Sequence, residues 1–270
     1  MAILALQSAS SGLRAMSTNL DVIANNLANV NTPGFKSSRA NFQDLLYVER
    51  MAPGVENANG DQRPTGLYIG LGTKVSGTQL SFEEGAAIPT GRPLDVRIQG
   101  AGFFQVQVEQ ARSADQVAYT RAGNFALNAD GEIVLANDQG RRLVPTVQIP
   151  EDHIPPISIE SDGRVLVQTP GATEPQEAGQ IELANFINPA GLKQIGENLY
   201  VETVASGGPI EGEPGEDSFG SLIAGSLEAS NVDPTRELID LIRTQRAFEM
   251  NSQSIRAADE ALQSVAQLGR

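Results

Sequence analysis

The sequence contains no cysteine and no tryptophan, and His153 is its only histidine. Without cysteine the fold has no disulfide, and no thiol can serve as a nucleophile or as a zinc ligand. His153 lies in the segment EDHIPP, which is typical of a loop with a solvated side chain. No histidine-based catalytic triad and no HExxH zinc site is therefore predicted.

Other candidates for chemistry are equally sparse. Asp130 and Asp162 could form a pair of catalytic carboxylates, but each precedes a glycine, which is typical of a turn residue. The glycine-rich segment 66–74, GLYIGLGTK, matches neither GxGxxG nor a phosphate-binding loop. We expect no catalytic residue, no cofactor site and no metal site, and we predict that the chain is not an enzyme.

Long apolar runs are also missing, and the charge is unevenly distributed. The sequence has no apolar run of the roughly 18 residues that a membrane helix needs, so no membrane insertion is predicted. The N-terminal segment lacks the basic residues of a cleaved secretion signal. The net charge of −14 disfavours nucleic acid as a partner. Residues 1–36 and 234–270 are both nearly neutral, so the acidity is concentrated between two neutral ends.

The first neutral end has a seven-residue apolar repeat. Its residues form two lines three positions apart: Leu6, Leu13, Leu20 and Leu27, and Ala9, Met16, Ile23 and Val30. This spacing predicts a helix with an a/d seam over nearly four heptads. Such a helix belongs either to the core of a globular domain or to an assembly, and the heptad pattern favours the assembly.

Five asparagines lie between positions 19 and 31 of this predicted helix, although asparagine is a weak helix former. The helix is predicted to stop at Thr32, because a residue that precedes proline is pushed out of the helical conformation. Pro33 and Gly34 suit the two central positions of a type II turn, and Phe35 is expected to anchor the returning chain.

The second neutral end mirrors the first. Asp233 and Pro234 predict a helix start, and nothing breaks a helix before about Leu268. Its two lines are Leu241, Phe248, Ile255 and Leu262, and Thr244, Asn251, Ala258 and Val265. Asn251 resembles the single polar seam residue that fixes the register of a coiled coil.

The residues between the two helices have the pattern of short strands and turns. Segments 125–135 and 157–167 match at an offset of 32, and each predicts a β-hairpin around Asp-Gly. Residues 45–72 have apolar ends and a centre rich in proline and glycine, which predicts an extended hairpin with a polar tip. We therefore predict an α+β fold, in which discontinuous N- and C-terminal coiled-coil helices flank an inserted all-β domain and a long hairpin.

Three parts of the sequence resemble the axial proteins of the bacterial flagellum, the rod and hook family. They are NNLANVNTPGFK at residues 25–36, GAGFFQV followed by YTRAGNFALNADGEIV in the middle, and the C-terminal SLEASNVDPTRELIDLIRTQRAFEMNSQSIRAADEALQ. They cover both ends and much of the middle, so the resemblance is specific. The chain length, NFQDLLYVER and GLYIGLGTKV are most similar to the distal-rod members, and proximal-rod members are of similar size.

The resemblance implies a structural subunit of the distal rod, a helical tubular polymer that transmits motor torque through the cell envelope to the hook. It implies four regions: an N-terminal helix of the inner tube (1–33), a linker and extended hairpin (34–75), a β-rich middle domain (76–224) and a C-terminal helix of the inner tube (225–270). An asparagine-rich face can then form hydrogen bonds between tightly packed subunits, where a charged side chain would cost desolvation.

The resemblance also implies partners and a location. The partners are further copies of the chain, proximal rod proteins, the hook protein or junction, envelope ring proteins and the flagellar export apparatus. The location is the basal body in the periplasm and cell envelope, reached by type III export without a cleaved signal peptide. The predicted assembly residues are Leu6, Leu13, Met16, Leu20, Ile23, Leu27, Leu241, Phe248, Asn251, Ile255 and Leu262, and the predicted turn residues are Thr32, Pro33, Gly34 and Phe35.

Other functions are compatible with the same residues. The chain could be another axial protein, of the proximal rod or the hook. It could also be a soluble β-domain binding module whose helices form a coiled-coil stalk. A secreted enzyme that acts on envelope polymers is a third possibility, and it requires a pair of carboxylates in a cleft.

Overall fold

The computed structural model describes residues 2–55, 62–110, 112–113, 116–150, 152–170, 175–216 and 218–268. The chain mixes helices and strands, as predicted, with one long helix towards each end and many short strands between them. It divides into two compact units. The helical unit comprises Met1–Ala28, Ser38–Leu80 and Asp233–Arg270, and the β unit comprises Asn29–Ser37 and Ser81–Val232.

Where the structure describes the helical unit, it has two helices and four strands. Its elements are α1 (Ala2–Ala28), β1 (Ser38–Asp44), β2 (Tyr47–Met51), β3 (Leu67–Gly70), β4 (Thr73–Leu80) and α2 (Pro234–Leu268). α1 packs against α2 and also contacts β1 and β4. β1 pairs antiparallel with β4, and β2 pairs antiparallel with β3. The β2–β3 pair is the hairpin predicted from the sequence, and residues 56–61 of its predicted polar tip lie outside the described residues.

The start of α2 follows from its capping residues. Asp233 accepts hydrogen bonds at its Oδ1 atom from the backbone N–H groups of Thr235 (2.9 Å) and Arg236 (3.2 Å). Pro234 occupies the first helical position, where no backbone donor is needed. The 35 residues of α2 span roughly 50 Å at the usual helical rise.

In its described residues the β unit has fifteen short strands and one turn of 3₁₀ helix at Pro189–Gly191. The strands are β5 (Ala87–Pro89), β6 (Val96–Gln99), β7 (Phe103–Gln107), β8 (Val117–Thr120), β9 (Phe125–Leu127), β10 (Ile133–Leu135), β11 (Ile154–Ile159), β12 (Arg164–Gln168), β13 (Gln176–Gln180), β14 (Leu183–Asn185), β15 (Lys193–Gly196), β16 (Leu199–Val201), β17 (Ile210–Gly212), β18 (Ser221–Ala224) and β19 (Ser226–Glu228). The largest sheet has six strands in the order β15-β16-β8-β7-β14-β17. A second sheet has the order β11-β12-β13, and the remaining strands form the antiparallel pairs β9–β10, β6–β18 and β5–β19.

The core of the β unit lies between these sheets and is made of aliphatic and aromatic side chains. Val96, Phe104, Phe125, Ile133 and Leu183 are all fully buried in one cluster. The Phe104 and Phe125 rings meet edge to face, with their centroids 5.1 Å apart. This arrangement is the favourable one for aromatic pairs, because the positive ring edge faces the negative ring face.

The two matching sequence segments form equivalent hairpins, β9–β10 and β11–β12, as predicted. The structural repeat extends further along the chain than the sequence match. The Ile149 N–H donates to the Gly131 carbonyl, and the Ile181 N–H donates to the Gly163 carbonyl, both at 2.8 Å. Each glycine has a positive φ, and a Cβ atom on it would collide with the carbonyl oxygen of its isoleucine partner. Each repeat therefore includes a third chain segment, at Ile149 in the first repeat and at Ile181 in the second, again 32 residues apart.

Candidate functional site

Polar contacts form a ladder between α1 and α2. The Asn19 Nδ2 atom donates to Thr244 Oγ1 at 2.9 Å, and one heptad later the Asn26 Nδ2 atom donates to Glu237 Oε1 at 3.0 Å. Because the position rises by seven on α1 and falls by seven on α2, the helices are antiparallel. Asn26 and Thr244 are buried, so neutral amides satisfy polar groups here without adding a charge to the interface.

Gly12 and Asn251 continue this polar ladder one heptad further. A Cβ atom on Gly12 would lie 3.2 Å from the Asn251 Nδ2 atom, so the missing side chain leaves room for the amide. The predicted seam residue Asn251 therefore faces the partner helix within the same chain. Asn19 and Asn26 are among the five asparagines noted in the sequence, whereas Gly12 was not singled out, although the seven-residue spacing of the three residues was a usable signal.

The apolar seam residues flank the polar ladder. On α1, Ile23 is buried, and the half-buried seam residues are Leu6, Leu13, Met16, Leu20 and Leu27. On α2, Leu241 and Ile255 are half-buried, whereas Phe248 is 36% exposed and Leu262 is 38% exposed. The Val265 side chain lies outside the described residues. The structure therefore brings part of the predicted set together and leaves other members open to solvent.

A second group of apolar side chains on α2 is turned away from α1. This outer stripe consists of Leu238, Ile239, Ile242 and Met250, of which Met250 is the most open at 61% exposure. At about 100° per residue, these positions lie well away from Thr244, which faces α1. Exposed apolar side chains grouped on one side of a helix are typical of an interaction surface.

The β2–β3 hairpin also exposes large apolar side chains. Leu46, which precedes β2, is 82% exposed, and Tyr47, Met51, Leu67 and Tyr68 are each about half exposed or more. A two-stranded hairpin has two open edges and two faces, so it offers both backbone and side-chain contacts to a neighbour.

The predicted turn residues lie in the β unit. The Phe35 N–H donates to the Thr32 carbonyl at 3.2 Å, as in a four-residue turn. Gly34 has φ of +71°, and a Cβ atom on it would lie 2.6 Å from the backbone nitrogen of Ala122. Both the backbone conformation and the close approach therefore require glycine at this position. Phe35 is buried, as expected for an anchor of the returning chain.

A buried cluster of charges follows this turn. The Lys36 Nζ atom donates to Glu228 Oε1 at 2.6 Å and to the Glu83 carbonyl at 2.7 Å. The same carboxylate oxygen accepts the Gly85 N–H at 2.9 Å. Arg121 Nη1 lies 3.6 Å from the other oxygen, Glu228 Oε2, as an ion pair. The last residue of NNLANVNTPGFK thus pairs with the glutamate of SLEASN, so two of the segments that carried the resemblance meet inside the β unit.

Burial shapes the protonation of this cluster. Burial lowers the pKa of the Lys36 ammonium, and the Glu228 carboxylate opposes the lowering. Burial also raises the pKa of Tyr200 to about 12. Arg121 is held in addition by its contact with the Phe103 ring, whose centroid lies 5.3 Å from Cζ. Lys36 and Arg121 both pair with Glu228, so the cluster joins three distant parts of the chain within the β unit.

Candidates for catalysis are dispersed. Asp130 and Asp162 occupy equivalent turns of the two repeated hairpins, and the His153 ring nitrogen Nδ1 lies 2.9 Å from the Pro150 carbonyl oxygen. Among the described residues, no three acidic or histidine side chains are grouped so that they could hold a metal ion. No helix in the described part of the chain is long and apolar enough to cross a membrane.

Three family models match parts of the chain. Residues 6–36 match the flagella basal body rod protein model, residues 97–167 match the D1 domain of the flagellar hook protein FlgE/F/G, and residues 223–268 match the C-terminal region of the flagellar basal body rod FlgEFG proteins. These matches contain the turn, the hairpin β9–β10 and both partners of the Lys36–Glu228 pair.

Curated proteins match over nearly the whole chain. The flagellar basal-body rod protein FlgG of Caulobacter vibrioides is 44% identical over 98% of both chains. The protein of the same name from Agrobacterium fabrum is 44% identical over 95% of both chains. The flagellar hook protein FlgE of Salmonella typhimurium is only 26% identical over 96% of this chain and 98% of its own.

These relatives decide between the alternatives that the sequence left open. Identity is much higher to the rod protein than to the hook protein, and the match runs through both helices and the strands between them. The relatives are structural proteins, so the prediction that the chain is not an enzyme is confirmed. The chain belongs to the FlgG family of flagellar basal-body rod proteins, as a structural subunit of the distal rod.

Proposed function

We propose that the chain is the subunit of a helical tubular homopolymer that transmits motor torque through the cell envelope to the hook. The N- and C-terminal helices of many copies line the inner tube as coiled coils, and the β-rich middle domain lies outside. The proposed regions are the two inner-tube helices at 1–33 and 225–270, the linker and hairpin at 34–75, and the middle domain at 76–224.

The observation that supports this function best is the outer stripe of α2. One face of α2 already meets α1, yet Leu238, Ile239, Ile242 and Met250 remain exposed on another face. Burying such side chains against neighbouring subunits contributes roughly 1.5–3 kcal/mol for each one that is fully covered. The predicted seam residues Phe248 and Leu262 add partly exposed apolar surface to the same helix.

Further partners are proposed on the basis of family membership. The similarity to both rod and hook proteins supports contacts with proximal rod proteins below and with the hook protein or junction above. We add envelope ring proteins and the flagellar export apparatus to the proposed partners. The proposed location is the basal body in the periplasm and cell envelope, reached by type III export without a cleaved signal peptide.

A charge at an exposed apolar residue of α2, in the outer stripe or in the predicted seam, tests the polymer interface. Ile242→Asp and Phe248→Asp place a carboxylate where the polymer buries an apolar side chain, so we expect each to abolish filaments seen by electron microscopy of concentrated protein. Thermal unfolding of the β unit, followed by the signal of its buried tyrosines, should be unchanged because the β unit has its own core.

Ser254→Asp is the matched control, since it adds the same charge at an exposed position of α2 outside the outer stripe. Filaments should still form with this variant. Normal filaments from Ile242→Asp would contradict the proposed interface. A parallel loss of β-unit stability would show that the helices and the β unit share one core.

A further inference from the structure

The chain passes between the two units at four places. These crossings lie between residues 28 and 29, 37 and 38, 80 and 81, and 232 and 233. Crossings of this kind are ordinarily exposed linkers with few side-chain contacts. Here, one asparagine in each unit forms hydrogen bonds with the residues at which the chain enters or leaves that unit.

Asn231 holds three chain segments of the β unit together. Its Oδ1 atom accepts the Ser37 N–H at 2.7 Å, and its Nδ2 atom donates to the carbonyls of Ser81 (2.9 Å) and Glu83 (3.2 Å). The backbone adds a fourth link, because the Ser81 N–H donates to the Ser37 carbonyl at 2.9 Å. Ser37, Ser81 and Asn231 each lie at or next to the point where their segment leaves the β unit.

Asn26 holds three chain segments of the helical unit together. Its Oδ1 atom accepts the Ser38 N–H at 3.0 Å, and its Nδ2 atom donates to the Ser38 carbonyl at 2.7 Å and to Glu237 Oε1 at 3.0 Å. Its side chain therefore pairs with the backbone of Ser38 at two points, as a strand would. Asn26 is only 2% exposed, so water competes poorly for these groups.

We propose that Asn26 and Asn231 are positioning residues that clasp the chain where it passes from one unit to the other. Ser37 and Ser38 are consecutive, and the N–H group of each is bound by a different asparagine, so the chain is fixed on both sides of that crossing. An amide side chain can accept and donate at the same time without adding a charge, and at Asn26 that position is buried. The mechanical consequence rests on the proposed polymer function. Torque would be transmitted from one unit to the other through backbone segments that hydrogen bonds hold in place, rather than through a flexible linker.

Asparagine-to-aspartate variants keep the hydrogen-bond acceptor of each clasp residue and remove its donor. Asn231→Asp keeps an acceptor for the Ser37 N–H but points a carboxylate at two carbonyl oxygens. Asn26→Asp points a carboxylate at the Ser38 carbonyl and at Glu237. The matched controls are Asn124→Asp, which loses one donor bond to Ala136 in the β unit, and Asn41→Asp, which loses one to Gln79 in the helical unit.

Hydrogen–deuterium exchange of the full chain is the first measurement. We expect Asn231→Asp to speed exchange about tenfold or more at residues 35–37 and 81–83. The variant loses two hydrogen bonds of about 1 kcal/mol each, to the Ser81 and Glu83 carbonyls, so these segments separate more often and expose their backbone N–H groups. We expect Asn26→Asp to do so at residues 38–39, while both controls leave these sites unchanged. Unchanged exchange at the crossings, or acceleration spread evenly through the unit, overturns the proposal. If an aspartate variant unfolds, Asn26→Ser and Asn231→Ser repeat the test with a shorter neutral side chain.

Filament stiffness is the second measurement. Filaments of the two clasp variants should form but bend more than those of the unchanged chain and of the controls, as measured by their persistence length in electron micrographs. Equal stiffness overturns the mechanical role. If the unchanged chain forms no filaments, the proposed polymer function fails, and the exchange experiment still decides on the clasps alone.

Discussion

At the scale of single residues, the buried charges of the β unit show an imbalance with consequences for stability. Lys36 and Arg121 are two cations that share one buried anion, Glu228. Glu84 acts on both cations through its charge, but it is exposed. A buried ion pair contributes little net stability, whereas breaking one by removing a single partner is costly. The two partners of the Lys36–Glu228 pair are therefore not equivalent.

We predict that Glu228→Gln costs more stability than Lys36→Met. Glu228→Gln leaves two buried cations without their anion, so the free energy of unfolding of the β unit should fall by about 3–5 kcal/mol. Lys36→Met leaves Arg121 and Glu228 balanced, and the loss should be at most about 3 kcal/mol. Denaturant titration followed by the tyrosine signal measures both variants.

Arg142→Met provides the control for this prediction. Its guanidinium is half exposed and pairs with Glu132, so solvent screens the interaction and the loss should be much smaller. Equal losses for Glu228→Gln and Lys36→Met would show that charge imbalance does not decide the stability of the cluster.

At the scale of elements, the α1–α2 pair contains one ionisable group in its polar ladder. Burial raises the pKa of Glu237 above its usual 4.5, the hydrogen bond from Asn26 opposes the shift, and Asp240 and Asp233 add to it. Folded Glu237 therefore binds a proton at a higher pH than unfolded Glu237. The helix pair gains stability from this group as the pH falls through the raised pKa towards 4.5, and the gain is absent at neutral pH.

We predict that Glu237→Gln removes this part of the pH dependence. The neutral amide has the same shape and accepts the Asn26 hydrogen bond, so at neutral pH the variant should be at least as stable as the unchanged chain. The thermal midpoint of the helical circular dichroism signal, measured at several pH values from neutral to 4.5, gives the comparison. Glu249→Gln, which removes a carboxylate at an exposed position of the same helix, is the matched control variant. Parallel profiles for Glu237→Gln and the unchanged chain would contradict the prediction.

At the scale of the whole molecule, the chain has two kinds of surface suited to a polymer. The two ends have net charges of +1 (residues 1–36) and 0 (residues 234–270), so the middle of the sequence has a net charge of −15. Neutral ends can pack against copies of themselves, whereas an acidic middle stays solvated. The β2–β3 hairpin departs from this division, because it exposes apolar side chains within the acidic middle of the sequence.

We predict that this hairpin braces neighbouring subunits. Deleting residues 48–65 should leave polymerisation intact but yield curved filaments, because bracing contacts outside the tube prevent the sliding that lets a tube bend. Electron microscopy of the deletion variant provides the measurement, and straight filaments would refute the bracing role. A full-length variant with Met51→Ser, Leu67→Ser and Tyr68→Ser keeps the hairpin length, and it should also curve if the apolar side chains make the contacts.

The sequence by itself determined the long helices, the Asp-Gly hairpins and the class of protein. Heptads, proline and glycine act on the local backbone. Pro33, Gly34 and Pro234 therefore predict turns and helix starts independently of the rest of the chain. Only the tertiary structure decided which residues meet. It joined Lys36 to Glu228, 192 residues apart, and set Asn19 opposite Thr244, 225 residues apart.

The tertiary structure also decided the grouping of the chain, since Ser38–Leu80 belongs with the helices and Asn29–Ser37 belongs with the strands. Periodicity could show that α1 has a seam, but it could not show that Gly12, Asn19 and Asn26 contact α2. The physical reason is that a pairing across such distances depends on the shape and unmet hydrogen bonds of a distant partner. A local sequence pattern does not identify that partner.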